Sequence, residues 1–401
     1  MEQPHQSLSP PGGSKILHFE GLRGLLALVV FIHHFILLFY PVVYVGTFDY
    51  QEFVANPYAF KILLAHSPLN IFMSGHLAVC VFLVISGYVL TLSYKKSDTT
   101  GVLQQNILKR YFRLILPVLG ACLVLKILFV SGMIELANYP RNVEKLEFGN
   151  KLFRNDLSWP ALITSSLFTV PFSGHSNFLP VLWTLQAEFL GVIALFLFLL
   201  VTHNLRDRFY YAVVLVLIYL YFSYNLFILV IAGGIVCIYE EKIKKVFRST
   251  ASKILLLSCA LFFGGMLNTD KAAIAHSLYG FTLKFPFQAY PHFHNLSAAF
   301  FLILLISSTT LKNLFSHKYL VLFGKLCFSI YLLHLPVLYC VGSTLMWMYS
   351  GKIHPLLLFS LCLCVTVLLA LPFYKYVDKL AIRFSNRLAT RLMLNTRKEE
   401  F

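Results

Sequence analysis

The sequence predicts an all-α fold: a polytopic membrane helix bundle of about ten transmembrane helices with both termini in the cytosol. Of the 401 residues, 58% are hydrophobic and 12% are charged, and the mean hydropathy is +0.74. Soluble domains carry about a quarter charged residues. Apolar stretches recur along almost the whole chain, each close to the roughly 17 to 25 residues that cross hydrocarbon as a helix. A soluble fold could not bury that much apolar surface, so a soluble globular protein is excluded.

The apolar stretches predict ten spans, at residues 24–45, 72–94, 111–133, 181–203, 209–223, 225–239, 254–269, 297–311, 326–348 and 355–376. With the N-terminus inside, 24 of the 33 Lys and Arg residues fall on the cytosolic side and eight outside, while Lys126 lies within the third span. This distribution follows the positive-inside rule. The net charge of +16 therefore reflects orientation in a membrane, and nucleic acid is not an expected partner.

The fifth and sixth spans are short and are separated only by a turn at 223–225. Fusing them would move the five basic residues of 242–253 to the outside and spoil the charge distribution, so ten spans are retained. The predicted organisation has three parts: a disordered cytosolic tail without a signal peptide, a membrane domain and a basic cytosolic tail, at residues 1–18, 19–383 and 384–401.

The longest predicted external segment covers residues 134–180 and mixes charges with Trp159, Pro160 and Pro171. It forms a lid, an acceptor platform or a plain connecting loop, and the sequence leaves these alternatives open. The eight cysteines all fall within apolar segments and lack metal-ligand spacing. They are interpreted as small buried side chains and not as a disulfide framework.

The first span carries two pairs of ionisable residues. Glu20 and Arg23 lie at its start, and His33 and His34 lie deeper. An ionisable side chain at membrane depth is costly and usually faces the bundle interior, where it serves a function. Eleven residues of helix put His34 about 16 Å beyond Arg23, near the midplane. The two histidines point about 100° apart, so one cavity admits one of them fully. A purely structural, hydrogen-bonded histidine is the alternative.

The fourth span places Glu188 more than one helical turn below the external surface. A carboxyl group in hydrocarbon must be protonated, paired or bathed in a water-filled cavity, which favours a functional cavity. Trp183, at the mouth, is either an interfacial aromatic residue or a stacking platform for a sugar.

Two further spans contain polar or small residues at their inner halves. Arg110 and Arg113 share one helix face at the inner end of the third span, where they either present forked donors to phosphate or anchor the helix at the interface. The pair Ser86-Gly87 interrupts the apolar second span and permits close helix approach.

The ninth span places Tyr331 and His334 on one helix face, which gives a second polar point at depth. His292 and His294 are expected in an external loop. Two histidines without a carboxylate partner are weak grounds for a metal site, and no metal is predicted.

These residues together resemble the acyltransferase 3 family of membrane acyltransferases, over nearly the whole chain from Phe19 to Arg383. The matching elements occur in the family's order: Glu20-Gly21-Leu22-Arg23-Gly24 with His34 eleven residues after Arg23, Phe82-Leu83-Val84-Ile85-Ser86-Gly87, Arg110-x-x-Arg113, Leu182-Trp183-Thr184-Leu185-x-x-Glu188, Tyr331-x-x-His334 and Tyr374-x-x-Val377-Asp378. Glu20 stands where Asp is commoner, and Ala187 stands where Val is usual, and both departures are conservative.

The resemblance implies an O-acyltransferase that takes an acyl group, often acetyl, from cytosolic acyl-CoA and places it on a hydroxyl of an extracytoplasmic carbohydrate or glycosylated acceptor. It implies a multi-pass protein of the cell membrane. It selects His34 over His33 and implies roles for nine residues: catalysis by His34 and Glu188, acyl-CoA binding by Arg23, Arg110 and Arg113, and substrate binding by Ser86, Trp183, Tyr331 and His334.

In the implied mechanism, neutral His34 accepts a proton from the acceptor hydroxyl or transiently takes the acyl group where donor and acceptor meet. The residues leave both routes open. A multi-pass transporter or exporter of a small anionic or proton-coupled solute is the alternative, because intramembrane His, Arg and Glu also line transport paths. A non-catalytic scaffold would confine its polar groups to loops, which His34 and Glu188 contradict.

Overall fold

The structure is a computed structural model that describes residues 16–40, 67–97, 100–134, 157–202, 226–266, 271–275 and 277–399. Within these ranges the regular structure is entirely helical. The α-helices in chain order are α1 (Leu17–Phe39), α2 (Gly75–Ser97), α3 (Thr100–Val130), α4 (Trp159–Thr164), α5 (Val170–Ser173), α6 (Trp183–Val201), α7 (Ile228–Ile238), α8 (Glu240–Val246), α9 (Thr250–Gly264), α10 (Lys271–Ala275), α11 (Ala289–Ser307), α12 (Thr309–Phe315), α13 (Lys318–Val337), α14 (Ser343–Met348), α15 (Pro355–Phe373) and α16 (Lys379–Glu399).

Shorter helical turns connect several of these helices. One π-helical segment joins α4 to α5, a second joins α13 to α14 and a third joins α15 to α16, at Ser165–Thr169, Leu338–Gly342 and Tyr374–Asp378. Three 3₁₀ turns lie at Pro68–Phe72, Pro180–Leu182 and Gly280–Lys284. The residues of the predicted C-terminal tail continue as helix α16, which packs against α3 and buries Ser385 and Ala389.

In the described residues, seven helical segments are long and apolar enough to cross a membrane: Leu17–Phe39, Gly75–Lys95, Ile107–Val130, Pro180–Val201, Ala289–Ser307, Lys318–Met348 and Pro355–Arg391. The bent pair α8 and α9, which turns by 106°, makes an eighth if it is counted as one span. The predicted membrane helix bundle is confirmed, but the predicted number of ten is not. Helix α7, with 11 residues, is too short to cross hydrocarbon alone, and the predicted span at 209–223 lies outside the described residues.

Glycines let the helices approach closely at two crossings. A Cβ atom on Gly87 of α2 would lie 1.8 Å from the Val230 carbonyl oxygen of α7, and one on Gly233 of α7 would lie 1.9 Å from the Val84 oxygen. On α1, a Cβ on Gly24 would meet the Leu320 oxygen of α13 at 2.5 Å. These contacts confirm the packing role predicted for Gly87 and fix α2 against α7 and α1 against α13.

The buried core falls into two clusters. One lies around α1, α2, α7 and α11, and the other around α3, α6, α13 and α15. The eight cysteines are free thiols, and five of them are buried. Cys364 is exposed, so the expectation of a buried side chain is wrong at that position.

Part of the segment predicted to be an external connection packs along α3. Lys126 Nζ donates to the Leu157 oxygen at 2.5 Å, and the Tyr111 hydroxyl donates to the Leu167 oxygen at 2.8 Å. Tyr111 and Lys126 are fifteen residues apart, about 22 Å along the helix, so residues 157–167 run antiparallel to α3 over about half of its length. The plain-loop interpretation is therefore wrong here, while 135–156 lie outside the described residues. The serines and threonines of this segment interrupt its apolar residues, so a search for apolar runs did not predict the helix.

Candidate active site

A half-open cavity of about 120 Å³ lies at the border of the two core clusters. Helices α1, α2, α3, α6 and α13 all contribute to its wall. We call it the arginine cavity and define it by its polar lining: Arg23, Ser86, Arg110, Arg113, Thr184, Glu188 and Tyr331. Three guanidinium groups face one carboxylate in this lining, so the cavity favours an anionic or electron-rich group.

Arg110 is held by two helices at once. Its Nη1 lies 3.3 Å from Glu188 Oε1 of α6, and its Nη2 donates to Ser86 Oγ of α2 at 2.6 Å. The side chains of Arg110 and Glu188 are 12% and 25% exposed, so the pair sits where charge-assisted bonds are strong and where an unpaired charge would be costly. Glu188 therefore fixes the orientation of Arg110 within the cavity.

Arg110 and Glu188 touch although they lie on different helices, α3 and α6. Helix α3 begins at Thr100, ten residues or about 15 Å before Arg110, so the helix begins earlier than the span predicted at 111–133. Glu188 lies eight residues, about 12 Å, beyond Pro180, the first residue of its span. This position agrees with the prediction that Glu188 lies more than one turn inside the fourth span.

Tyr331 lines the arginine cavity and also contacts the next polar group on α13. Its hydroxyl donates to the Val181 carbonyl oxygen and lies 2.6 Å from Thr184 Oγ1. Along α13 the cavity is lined by Cys327, Phe328 and Tyr331. His334 follows one turn later, and its Nδ1 lies 2.7 Å from the Tyr331 carbonyl oxygen. Tyr331 therefore connects the cavity wall to His334.

His34 of α1 and His334 of α13 form a buried imidazole pair next to Tyr331. His334 Nε2 lies 3.1 Å from His34 Nδ1, which also lies 2.9 Å from the Val30 oxygen, and His334 Nδ1 lies 2.7 Å from the Tyr331 oxygen. Carbonyl oxygens only accept, so these partners assign the protons to both Nδ1 atoms in the neutral rings. The His334 Nε2 lone pair then accepts from His34 Nδ1–H. His34 consequently carries its own lone pair on Nε2.

His33 points elsewhere. Its Nδ1 lies 3.1 Å from the Met73 oxygen, and its ring lies beside Gly75. The rings of His33 and His34 are 5.0 Å apart at 87°, which confirms that the two neighbours face different surroundings. Helix α1 ends at Phe39 rather than at the predicted 45. His34 is therefore about 8 Å from the last residue of its helix.

The structure brings most of the predicted site residues together. Six of the nine line the arginine cavity: Arg23, Ser86, Arg110, Arg113, Glu188 and Tyr331. His34 and His334 form the pair beyond it, and Trp183 lies apart, with its ring 6.4 Å from that of His76. His34 is not among the residues that line the cavity, and its catalytic role stays a prediction.

Sequence reasoning missed Thr184 and His76, and it misplaced two other histidines. His292 and His294 lie in α11, not in a loop, because that helix begins at Ala289. His294 is fully buried, and its Nδ1 lies 3.0 Å from His76 Nδ1. His76 opens an apolar helix, which was the signal available for it. Among the described residues, no group of three or more His, Cys, Asp or Glu side chains is arranged to hold a metal ion.

The fold and the site together are those of an integral membrane helix bundle with a cationic cavity near an oriented imidazole pair. The acyltransferase domain of the acyltransferase 3 family matches residues 16–375 of the chain. The chain belongs to this family and is a membrane O-acyltransferase, as the sequence motifs predicted. It is 24% identical over 457 aligned positions to the O-acetyltransferase PaAT-1 of Phomopsis amygdali, covering 94% of this chain and 86% of that protein. No solved structure matches the chain.

Proposed function

We propose that the protein moves an acetyl group from cytosolic acyl-CoA to a hydroxyl of an extracytoplasmic carbohydrate or glycosylated acceptor, in the cell membrane. The observation that carries this proposal is the arginine cavity with His34 and His334 directly beyond it. The name of the similar PaAT-1, an O-acetyltransferase, supports acetyl as the group transferred. Neutral imidazoles and a hydroxyl acceptor suit acyl transfer without a metal.

The size and charge of the cavity suit the acyl end of the donor. Its volume of about 120 Å³ is somewhat below that of a cavity which holds a benzene ring, so a nucleotide does not fit inside. An acetyl thioester with the last atoms of a pantetheine arm does. The polyanionic nucleotide would then remain at the cytosolic ends of the helices, where the basic residues concentrate. Arg113, which is exposed yet lines the cavity, stands between these two environments.

His34 Nε2 is the reactive atom in this proposal. Acting as a base, it takes the proton of the acceptor hydroxyl while the oxygen attacks the thioester carbonyl and CoA leaves as the thiolate. Acting as a carrier, it attacks the carbonyl, releases the thiolate and later gives the acyl group to the acceptor oxygen. In both routes His334 keeps the His34 lone pair on Nε2. Arg110, held by Ser86 and Glu188, places positive charge near the developing oxyanion.

Orientation can be tested independently of chemistry. Reporter fusions after residues 60 and 150 should report the external side, and fusions after 100 and 245 the cytosolic side, because the basic residues divide 24 to eight. A reversed result at any site would overturn the cytosolic donor side.

The function is tested by mass spectrometry of surface glycans and secreted glycosides from cells with and without the gene. A mass difference of one acetyl group, lost with the gene and restored by the wild-type chain but not by His34→Ala, is the expected result. An identical set of products in both cells, together with no acetyl-CoA turnover by the purified protein in lipid, would contradict the proposal and leave the transporter alternative ahead.

A further inference from the structure

The last membrane span continues as a helix beyond the thickness of hydrocarbon. Pro355–Arg391 is one helical segment of 37 residues, about 55 Å long, whereas the hydrocarbon core is about 30 Å thick. Counted from Pro355, about 30 Å of helix ends near Lys375. Helix α16, which begins at Lys379, therefore lies at and beyond the headgroup layer. The distribution of basic residues predicts that this end of the segment is cytosolic.

A row of basic residues follows this extension. Residues four positions apart lie about 40° apart around a helix, so a repeat of four forms one continuous row. Asp378 is the one acidic residue in the sequence from 355 to 391, and it is only 5% exposed. The exposed side of the extension therefore has no acidic residue of its own. The row, which we call the basic row, consists of five exposed residues: Lys375, Lys379, Arg383, Arg387 and Arg391.

The basic row faces away from the bundle. Helix α16 packs against α3, and the Phe384 ring lies 5.6 Å from that of Phe112 in α3. The buried side of α16 contains Ala381, Ser385 and Ala389. Each of these is two positions from a member of the basic row, which is about 160° around the helix. Among the described residues, the lining of the arginine cavity includes none from α16, so a donor held in that cavity does not contact the basic row.

Exposed apolar residues accompany the cations. Tyr376, Leu380 and Phe384 each directly follow a basic residue, and they are 59%, 53% and 48% exposed. Such a combination is typical of a helix at a membrane surface, where apolar side chains enter the acyl boundary and Lys or Arg reach the phosphates. A soluble phosphate compound would leave the three apolar side chains in water. The surface therefore favours lipid over a soluble anion.

We propose that the basic row binds the headgroups of anionic phospholipids in the leaflet around the C-terminal end of the last span. Tyr376, Leu380 and Phe384 contact the acyl chains of the same lipids. A polybasic segment directly beyond a membrane helix attracts anionic lipids by its charge, and the basic row is such a segment with its cations in one continuous arrangement. This inference concerns binding alone and does not depend on the proposed acyl transfer.

The test measures which lipids the purified full chain retains. The protein is equilibrated in detergent with equal amounts of phosphatidylserine and phosphatidylcholine and washed, and the retained lipids are quantified by mass spectrometry. Wild type should retain phosphatidylserine over phosphatidylcholine by about fivefold or more. A triple variant that removes three cations of the basic row should retain the two lipids about equally: Lys379→Gln, Arg383→Gln and Arg387→Gln.

A matched control removes the same charge elsewhere. Helix α8 and the turn after it also carry exposed cations on the predicted cytosolic side, but Glu240 and Glu241 in the same helix offset their charge. The control variant should keep the wild-type preference for phosphatidylserine. Its three substitutions are Lys242→Gln, Lys245→Gln and Arg248→Gln.

An unchanged preference in the α16 variant, or an equal loss in both variants, would overturn the assignment to the basic row. Displacement of phosphatidylserine by saturating CoA would assign the row to nucleotide phosphates and would also overturn it. If the α16 variant does not fold, wild type decides. Its preference should fall between about 0.1 M and about 1 M salt, because the Debye length shortens from about 10 Å to about 3 Å. Wild type without any preference at low salt would contradict the proposal. The measurement needs no acetyl transfer, so a failure of the proposed function is seen separately.

Discussion

The arginine cavity and a group of five histidines stabilise polar side chains inside the bundle in different ways. We call these histidines the histidine layer: His33, His34, His76, His294 and His334. The cavity contains full charges, and Arg110 is held by the carboxylate of Glu188. The histidine layer uses neutral rings, and four of its five imidazoles face backbone carbonyls, those of Met73, Val30, Tyr331 and Met266. A carbonyl fixes a tautomer without adding a buried negative charge, whose desolvation is costly.

Under the proposed function, this difference separates donor binding from proton transfer. Fixed charge attracts an anionic donor, whereas a neutral imidazole with a defined lone pair accepts a proton or an acyl group. Tyr331 marks the border, since its hydroxyl lines the cavity and its carbonyl orients His334. We expect that removing a guanidinium from the cavity weakens donor binding and that removing the His34 imidazole lowers turnover.

The largest effect is expected at His34. His34→Ala should lower acetyl transfer about 10³-fold, within the range contributed by a positioned base, while CoA affinity stays the same. His33→Ala is the matched control, because that ring faces Met73 instead of His334, and it should retain most activity. Transfer by purified variants in lipid, normalised to folded protein, is the measurement. Full activity of His34→Ala would remove the proposed chemistry.

Arg113→Ala should weaken CoA binding about tenfold, because an exposed guanidinium at the cavity loses its contacts with phosphate or thioester oxygens. Lys at this position should rescue only part of the affinity, since an ammonium lacks the guanidinium fork. Lys109→Ala, four residues earlier and outside the cavity lining, controls for general loss of positive charge. Equal weakening by both substitutions would make Arg113 a membrane anchor. Isothermal titration with CoA in nanodiscs is a suitable measurement.

Arg110→Ala tests whether the ion pair between Arg110 and Glu188 also stabilises the helix bundle. It should weaken CoA binding and also lower thermal stability, because Glu188 would lose its partner within the bundle. Combining it with Glu188→Gln should restore part of the stability without restoring CoA affinity. A double variant no more stable than Arg110→Ala alone would show that the ion pair does not hold the helices.

Glu188→Gln separates charge from shape. The amide keeps a hydrogen bond to Arg110 but removes the only carboxylate in the cavity lining. Acetyl transfer should fall about tenfold as Arg110 loses its fixed orientation, while CoA affinity should stay equal or increase in the more positive cavity. Arg113→Ala, by contrast, should lower the CoA affinity. Weaker CoA binding by Glu188→Gln would indicate instead that Glu188 itself contacts the donor.

The sequence predicted spacings along single helices better than contacts between helices. Depth along a single helix is set by a constant rise, so the 16 Å between Arg23 and His34 and the divergence of His33 from His34 followed directly. Contacts between helices depend on packing that no periodicity encodes. The bond of Arg110 to both Ser86 and Glu188 and the His76–His294 pair are of this kind.

Helix ends were the second limit. The first span was predicted to begin at residue 24, although Glu20 and Arg23 lie within α1 and pair at 3.8 Å. Polar residues likewise concealed the helix at 159–173, where Thr164 and Ser173 hydroxyls donate to carbonyls one turn earlier. Local hydrogen bonds of this kind let hydroxyl residues lie inside a bundle, so an apolar threshold sets boundaries too narrowly.

The smallest effect is expected at the border of the two regions. Tyr331→Phe removes the hydroxyl that bonds Val181 and Thr184 but leaves the backbone carbonyl that orients His334. Thr184 Oγ1 still reaches the Val181 oxygen at 3.3 Å, so the loss of stability should be only about 1 kcal/mol. Acetyl transfer should fall a few-fold through KM for acetyl-CoA. Tyr319→Phe, an exposed tyrosine on the same helix, should change neither quantity. A loss as large as that of His34→Ala would instead place the Tyr331 hydroxyl among the reacting groups, and the border between binding and chemistry would have to move into the cavity.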